Sequence, residues 1–248
     1  MEDVIKSIVE KKNKKNSQQE FIRVWDLPTR LFHWSLVFLV ALAWISSEYF
    51  EELGDPRLEL HRWNGFIVLT VLIWRGLWGI WGPPSARFNN FLKGPKAVSL
   101  YIRDLLIGSP RHFLGHNPLG ALMIVALLTT VTTISLLGLF AAEENGLAAG
   151  PLAHLAAEKG QKLATKWHGL IFNPVLIGLI SIHIVANILY TFVKKDSLIM
   201  AMLSGKKIKE KYEDQHIVSS QKDYGIRAIF FFGLALTNVV IIFFLMGK

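Results

Sequence analysis

The sequence predicts an all-α integral membrane protein with five transmembrane helices. Three observations predict it. Of the 248 residues, 52% are hydrophobic and 19% charged, and the mean hydropathy is +0.36, too apolar for an ordinary soluble domain. The apolar residues gather into five runs of about 20 residues, the length a helix needs to cross a bilayer. The net charge of +8 falls between those runs, so membrane topology explains it better than nucleic-acid binding. The chain has no cysteine, which excludes disulfides, thiolate metal sites and cysteine-bound clusters.

The first run, Leu27–Ser47, follows a polar, lysine-bearing tail. No small-residue cleavage site follows it, so a cleavable signal peptide is not expected. The second, His61–Trp81, is interrupted by Arg75. The third, Pro118–Ala142, and the fourth, Trp167–Val193, contain no Asp, Glu, Lys or Arg. The fifth is Ala228–Gly247. Between the second and third, Pro95–Ile107 reads as a helix with Val98, Tyr101, Ile102, Leu105 and Leu106 on one side. It suits the membrane interface or a soluble loop about equally. The chain thus reads as a basic tail (1–22), a segment with the first four spans (23–205), a basic linker (206–224) and a segment with the fifth (225–248).

Lysine and arginine set the expected orientation. Residues 1–30 carry seven, 48–60 one among five acids, 82–115 five, 141–166 three and 194–224 seven. The N-terminus is therefore expected inside, in the cytoplasm, and the C-terminus outside, in the periplasm. The long tail suits weak contact with anionic lipid.

The chain has eight histidines. His112, His154 and His216 fall in loops, where a solvated side chain is the ordinary reading. His116 stands at the inner mouth of the third span. His33, His61, His168 and His183 lie within or at the ends of spans, where ionisable groups are costly and usually mark function. His168 and His183 are 15 residues apart, about 22 Å of helix, and the rotation between them brings both broadly to one face. Pro174 is expected to bend this helix and alter that angle.

Depth pairs outer His61 with outer His168, and inner His33 with inner His183. Two imidazoles from different helices can approach a porphyrin from opposite faces and fill both axial positions of its iron. Two haems would then stack across the bilayer, with no position open to substrate, which favours electron transfer. Gly65, one turn after His61, leaves room for a ring, although small residues also ease helix packing. Arg75 returns to nearly the face of His61 about 21 Å deeper, where it could pair with an inner propionate. Arg30 and Arg62 suit the same role or interfacial anchoring.

The residues Trp25-Asp26-Leu27-Pro28-Thr29-Arg30-Leu31-Phe32-His33-Trp34 resemble the opening of bacterial cytochrome b561 and of the cytochrome b subunits of nickel–iron hydrogenases. The resemblance continues through His61-Arg62, Trp81-Gly82-Pro83, Lys93-Gly94-Pro95, Gly115-His116-Asn117-Pro118, Trp167-His168-Gly169 and His183, over roughly residues 23–205. It implies a four-helix core with two b haems held by His33, His61, His168 and His183. It also implies electron transfer between a quinone pool and a redox partner protein, such as a periplasmic c-type cytochrome. His116, Asn117 and Arg75 become candidate quinone contacts. A membrane anchor for a hydrogenase or formate-dehydrogenase-like complex and a superoxide:quinone oxidoreductase are the alternatives. The acidic 48–60 loop disfavours an anionic substrate. The fifth helix departs from the family core. A histidine-based metal transporter would need more ligands at one depth than the spans provide, and the H-E-x-x-H of a metalloprotease is absent.

Overall fold

A computed structural model describes residues 20–55, 57–108, 111–144, 146–193, 198–209, 212–214 and 224–246. The N-terminal tail through residue 19, much of the basic linker and His216 lie outside them. Five helices are long and apolar enough to cross a membrane. They are α1 (Leu27–Glu48), α2 (Glu59–Trp81), α5 (Pro118–Phe140), a long helix over Glu158–Phe192, and α9 (Gly225–Met246). Shorter helices are α3 (Phe88–Phe91) and α4 (Pro95–Leu106) between α2 and α5, and α8 (Leu198–Ser204).

The starts have local causes. Pro28, Pro95 and Pro118 each sit in a first turn, where a missing N–H costs nothing and φ is already set. The Asp55 carboxylate accepts from Glu59 N at 2.9 Å and Leu60 N at 2.8 Å, satisfying the first turn of α2. The Asn117 side chain accepts from Gly120 N at 2.8 Å and caps α5.

The fourth crossing differs from expectation at its start. It starts at Glu158, nine residues before the apolar run, as α6 (Glu158–Leu170). Its first turns are polar helix formers, with Lys162 paired to Glu158 one turn away at 3.0 Å. Pro174 lies inside the continuous helix. The ladder widens into a π-turn over Ile171–Leu176, then continues as α7 (Ile177–Val193). That turn absorbs the missing N–H of proline.

α2 is the central helix. Of its most apolar stretch, 61% is buried, against 6% to 17% for the other four crossings. It packs against α1, α5 and α9. Leu39, Val68, Leu72, Val131, Ile134 and Leu176 form the mid-bundle core. α9 lies along the far side of α2, where Ala228 and Ala235 are buried with Trp74 and Trp78. Trp74 Nε1 donates to Ala228 O at 3.0 Å.

The two ends differ in charge. The 48–58 turn holds Glu48, Glu51, Glu52 and Asp55, and makes the acidic end. The 82–117 segment makes the basic end, together with a short antiparallel sheet of β1 (Phe21–Arg23) and β2 (Lys206–Ile208). Neither strand is expected from three-residue segments of sequence. They pair the segment before α1 with the segment after α8.

Candidate functional site

The mid-bundle core separates two pairs of histidines. At the acidic end the rings of His61 on α2 and His168 on α6 have centres 6.0 Å apart. At the basic end His33 on α1 and His183 on α7 have centres 6.5 Å apart. Leu39 falls six residues after His33, and Leu176 eight after His168 and seven before His183. The core therefore stands about 10 Å from each pair along the helices.

At the acidic end, backbone carbonyls orient both rings. His61 Nδ1 donates to Ala43 O at 3.0 Å, with Ser46 Oγ 3.3 Å from the same nitrogen. His168 Nδ1 donates to Ile134 O at 2.9 Å. A carbonyl can only accept, so the hydrogen lies on Nδ1, and the neutral ring keeps its lone pair on Nε2. Gly138 brings α5 against His168: a Cβ there would stand 3.1 Å from Cε1 and 3.3 Å from Nδ1. Beside Gly65 a Cβ would meet nothing within 4 Å.

At the basic end the polar groups are less satisfied. His33 Nδ1 is buried without a hydrogen-bond partner. His183 Nε2 lies 3.3 Å from Asn187 Nδ2, one turn away. Arg75 is 5% exposed. Its Nη2 donates to Ala86 O at 3.3 Å, Nη1 has no partner, and the guanidinium lies 4.6 Å from the Phe88 ring centre. His116 is buried between Trp25 and Phe91, with ring centres at 4.5 and 5.0 Å, and its Nδ1 is also unpartnered. Burial, then the charge of Arg75, push the His116 imidazole down to about 3. Burial likewise raises the Asp26 carboxyl above its ordinary range, against bonds from Thr29 and from Trp78 Nε1 at 3.0 Å.

The other candidates divide. Arg30 reaches the C-terminal end of α8 and donates through Nη1 to Leu203 O, leaving buried Nε unpartnered. Arg62 is exposed. Asn117 already caps α5 and donates to Tyr190 Oη at 3.0 Å. Tyr190 Oη in turn bonds Tyr101 Oη, tying α4, α5 and α7 together. Ser46, Gly138 and Asn187 have no sequence signature that singles them out. Their positions one turn from a histidine, or across a helix contact, become visible only in the fold.

A metal–imidazole bond is about 2 Å, so two rings on opposite sides of one ion have centres roughly 6 Å apart. Both histidine pairs have that spacing, and their chemistry fits b haem, whose iron takes imidazole in either oxidation state. Among the described residues no three His, Asp or Glu side chains gather as a metal site, so each pair offers two ligands only.

A family model described as prokaryotic cytochrome b561 matches residues 24–205. No curated protein matches the chain.

Proposed function

Because the chain belongs to the prokaryotic cytochrome b561 family, a multi-pass membrane cytochrome that binds b haem and transfers electrons, we propose that it carries two such haems. His61 and His168 hold one, and His33 and His183 the other. The observation that carries this reading is the pair of opposed imidazole couples, one at each end of the bundle. Bound haem supplies a reversible one-electron couple in each site.

The remaining work belongs to the side chains. The carbonyls of Ala43 and Ile134 hold the acidic-end rings in one tautomer and strengthen them as donors. The apolar centre keeps water and competing oxidants from the path. Arg75, with no carboxylate paired to it among the described residues, is placed to neutralise a propionate at the basic end, and Arg30 is a second candidate. The basic end faces the cytoplasm of a bacterial cell and the acidic end the periplasm, following the lysine and arginine bias.

Electrons pass between the quinone pool and a redox partner protein. Quinone meets the basic end, where Asn117 bonds Tyr190 beside its contact with Tyr101 and His116 lies between Trp25 and Phe91. The partner is a periplasmic c-type cytochrome or a hydrogenase-like subunit, and the acidic 48–58 turn favours a basic docking face.

The test is haem stoichiometry by pyridine haemochrome, with potentiometric titration of single variants. About two haems per chain are expected. His61→Ala and His168→Ala should abolish one redox component, and His33→Ala and His183→Ala the other. Loss of the same component in His61→Ala and His33→Ala breaks the assignment.

A further inference from the structure

The family match ends at residue 205, and the chain then turns back across the basic end. Gly205 makes the turn at φ +78°, and its carbonyl accepts from Val24 N at 2.8 Å and Trp25 N at 3.2 Å. β2 then pairs with β1, with Ile22 opposite Lys207. From this strap three residues grip the segment that leads into His116. Lys207 Nζ donates to Phe113 O at 3.3 Å, and Glu213 N donates to His112 O at 3.0 Å. The Asp214 carboxylate accepts from Leu114 N through one oxygen and from Gly115 N at 2.9 Å through the other.

Asp214 is only 5% exposed, so these charge-assisted bonds are shielded from water. The grip is also close-fitting: a Cβ on Gly115 would stand 3.2 Å from Asp214 Oδ2 and 3.8 Å from the Trp25 ring. Leu114, Val24, Trp25 and Ala201 are buried together beneath it. His116 follows directly, its ring tilted against Trp25 and close enough to Arg75 to feel its charge.

We propose that residues 206–209 and 212–214 form a seal over the basic-end histidine pair. Asp214 is its latch, a positioning residue that sets His116 beneath Trp25 through the amides of Leu114 and Gly115. This deepens the haem reading above and rests on it for its redox consequence. Opening the seal admits water beside His33, His183 and Arg75. Water favours the oxidised, more charged state of a haem and screens the arginine, and both effects lower the potential at that end alone.

The experiment uses the full-length protein. Gly115→Val wedges the latch open without changing charge, and Asp214→Asn weakens it with little change of shape. Hydrogen exchange at the amides of 112–116 is expected to accelerate about tenfold or more in both variants. In Gly115→Val the midpoint of the component lost in His183→Ala should fall, while the other component stays in place. Unchanged exchange in both variants overturns the latch. Faster exchange with both midpoints unmoved, or both moved together, overturns the seal. If the parent protein shows one redox component, the two-haem reading fails, and the exchange comparison still decides the latch.

Discussion

Gly138 leaves the space that the His168 ring fills, and at 3.1 Å from Cε1 an added Cβ forces the ring or α5 to move. Gly138→Ala needs a shift of a few tenths of an ångström, whereas the branched side chain of Gly138→Val cannot be placed without turning the imidazole. We expect Gly138→Val to lose the acidic-end haem and Gly138→Ala to keep most of it. Haem content per chain should fall from about two toward one, read by pyridine haemochrome. Full occupancy in the valine variant would mean that His168 does not depend on this contact. The four histidines were legible because an ionisable side chain inside an apolar run is conspicuous. Their supports were not. Ala43 and Ile134 act through backbone carbonyls, which carry no residue identity. One glycine among 19 gives no hint that it borders a ring. Asn117 stood out in the sequence only as part of a motif, and the fold adds what the motif could not show: its side chain caps α5 and bonds Tyr190.

At the scale of elements, apolar run length located all five crossings within a few residues, except the start of the fourth. That start lies outside hydrocarbon-like sequence because α6 begins in a polar segment held by local pairs, which a hydropathy window cannot see. The β1–β2 sheet was unreadable for a different reason. Three residues carry too little alternation, and their partners are nearly the whole core apart in sequence. The fifth helix was legible as a span but not as a neighbour. Its interface with α2 is made by small buried residues, with Ala235 fully covered beside Trp74 and Trp78. Ala235→Leu overpacks that contact and is expected to cost roughly 1 to 3 kcal/mol. A lower thermal midpoint should accompany an unchanged pair of redox components, since α9 carries none of the four histidines. Loss of haem before unfolding would instead make α9 part of the haem-binding core.

Across the whole molecule, the two sites share one plan and differ in electrostatic setting. Each takes two imidazoles from two helices and is separated from the other by the same apolar centre. The acidic end adds carbonyl partners and a turn rich in carboxylates. The basic end instead buries a guanidinium that lies near Phe32 and Phe88, with one nitrogen unpartnered. A buried positive charge opposes oxidation of a nearby haem, because the oxidised state carries one more positive charge. Arg75→Leu keeps the apolar contacts and deletes that charge. The basic-end component should titrate at a lower midpoint, and the acidic-end component, about 20 Å away along the bundle, should stay where it is. The charge also opposes protonation of His116, so its removal should make that imidazole easier to protonate. Equal shifts of both components would point to a general loosening of the bundle. An unmoved titration would leave Arg75 a packing residue between two phenylalanine rings, and the electrostatic difference between the ends would then have to come from the carbonyl-held imidazoles and the carboxylate-rich turn of the acidic end.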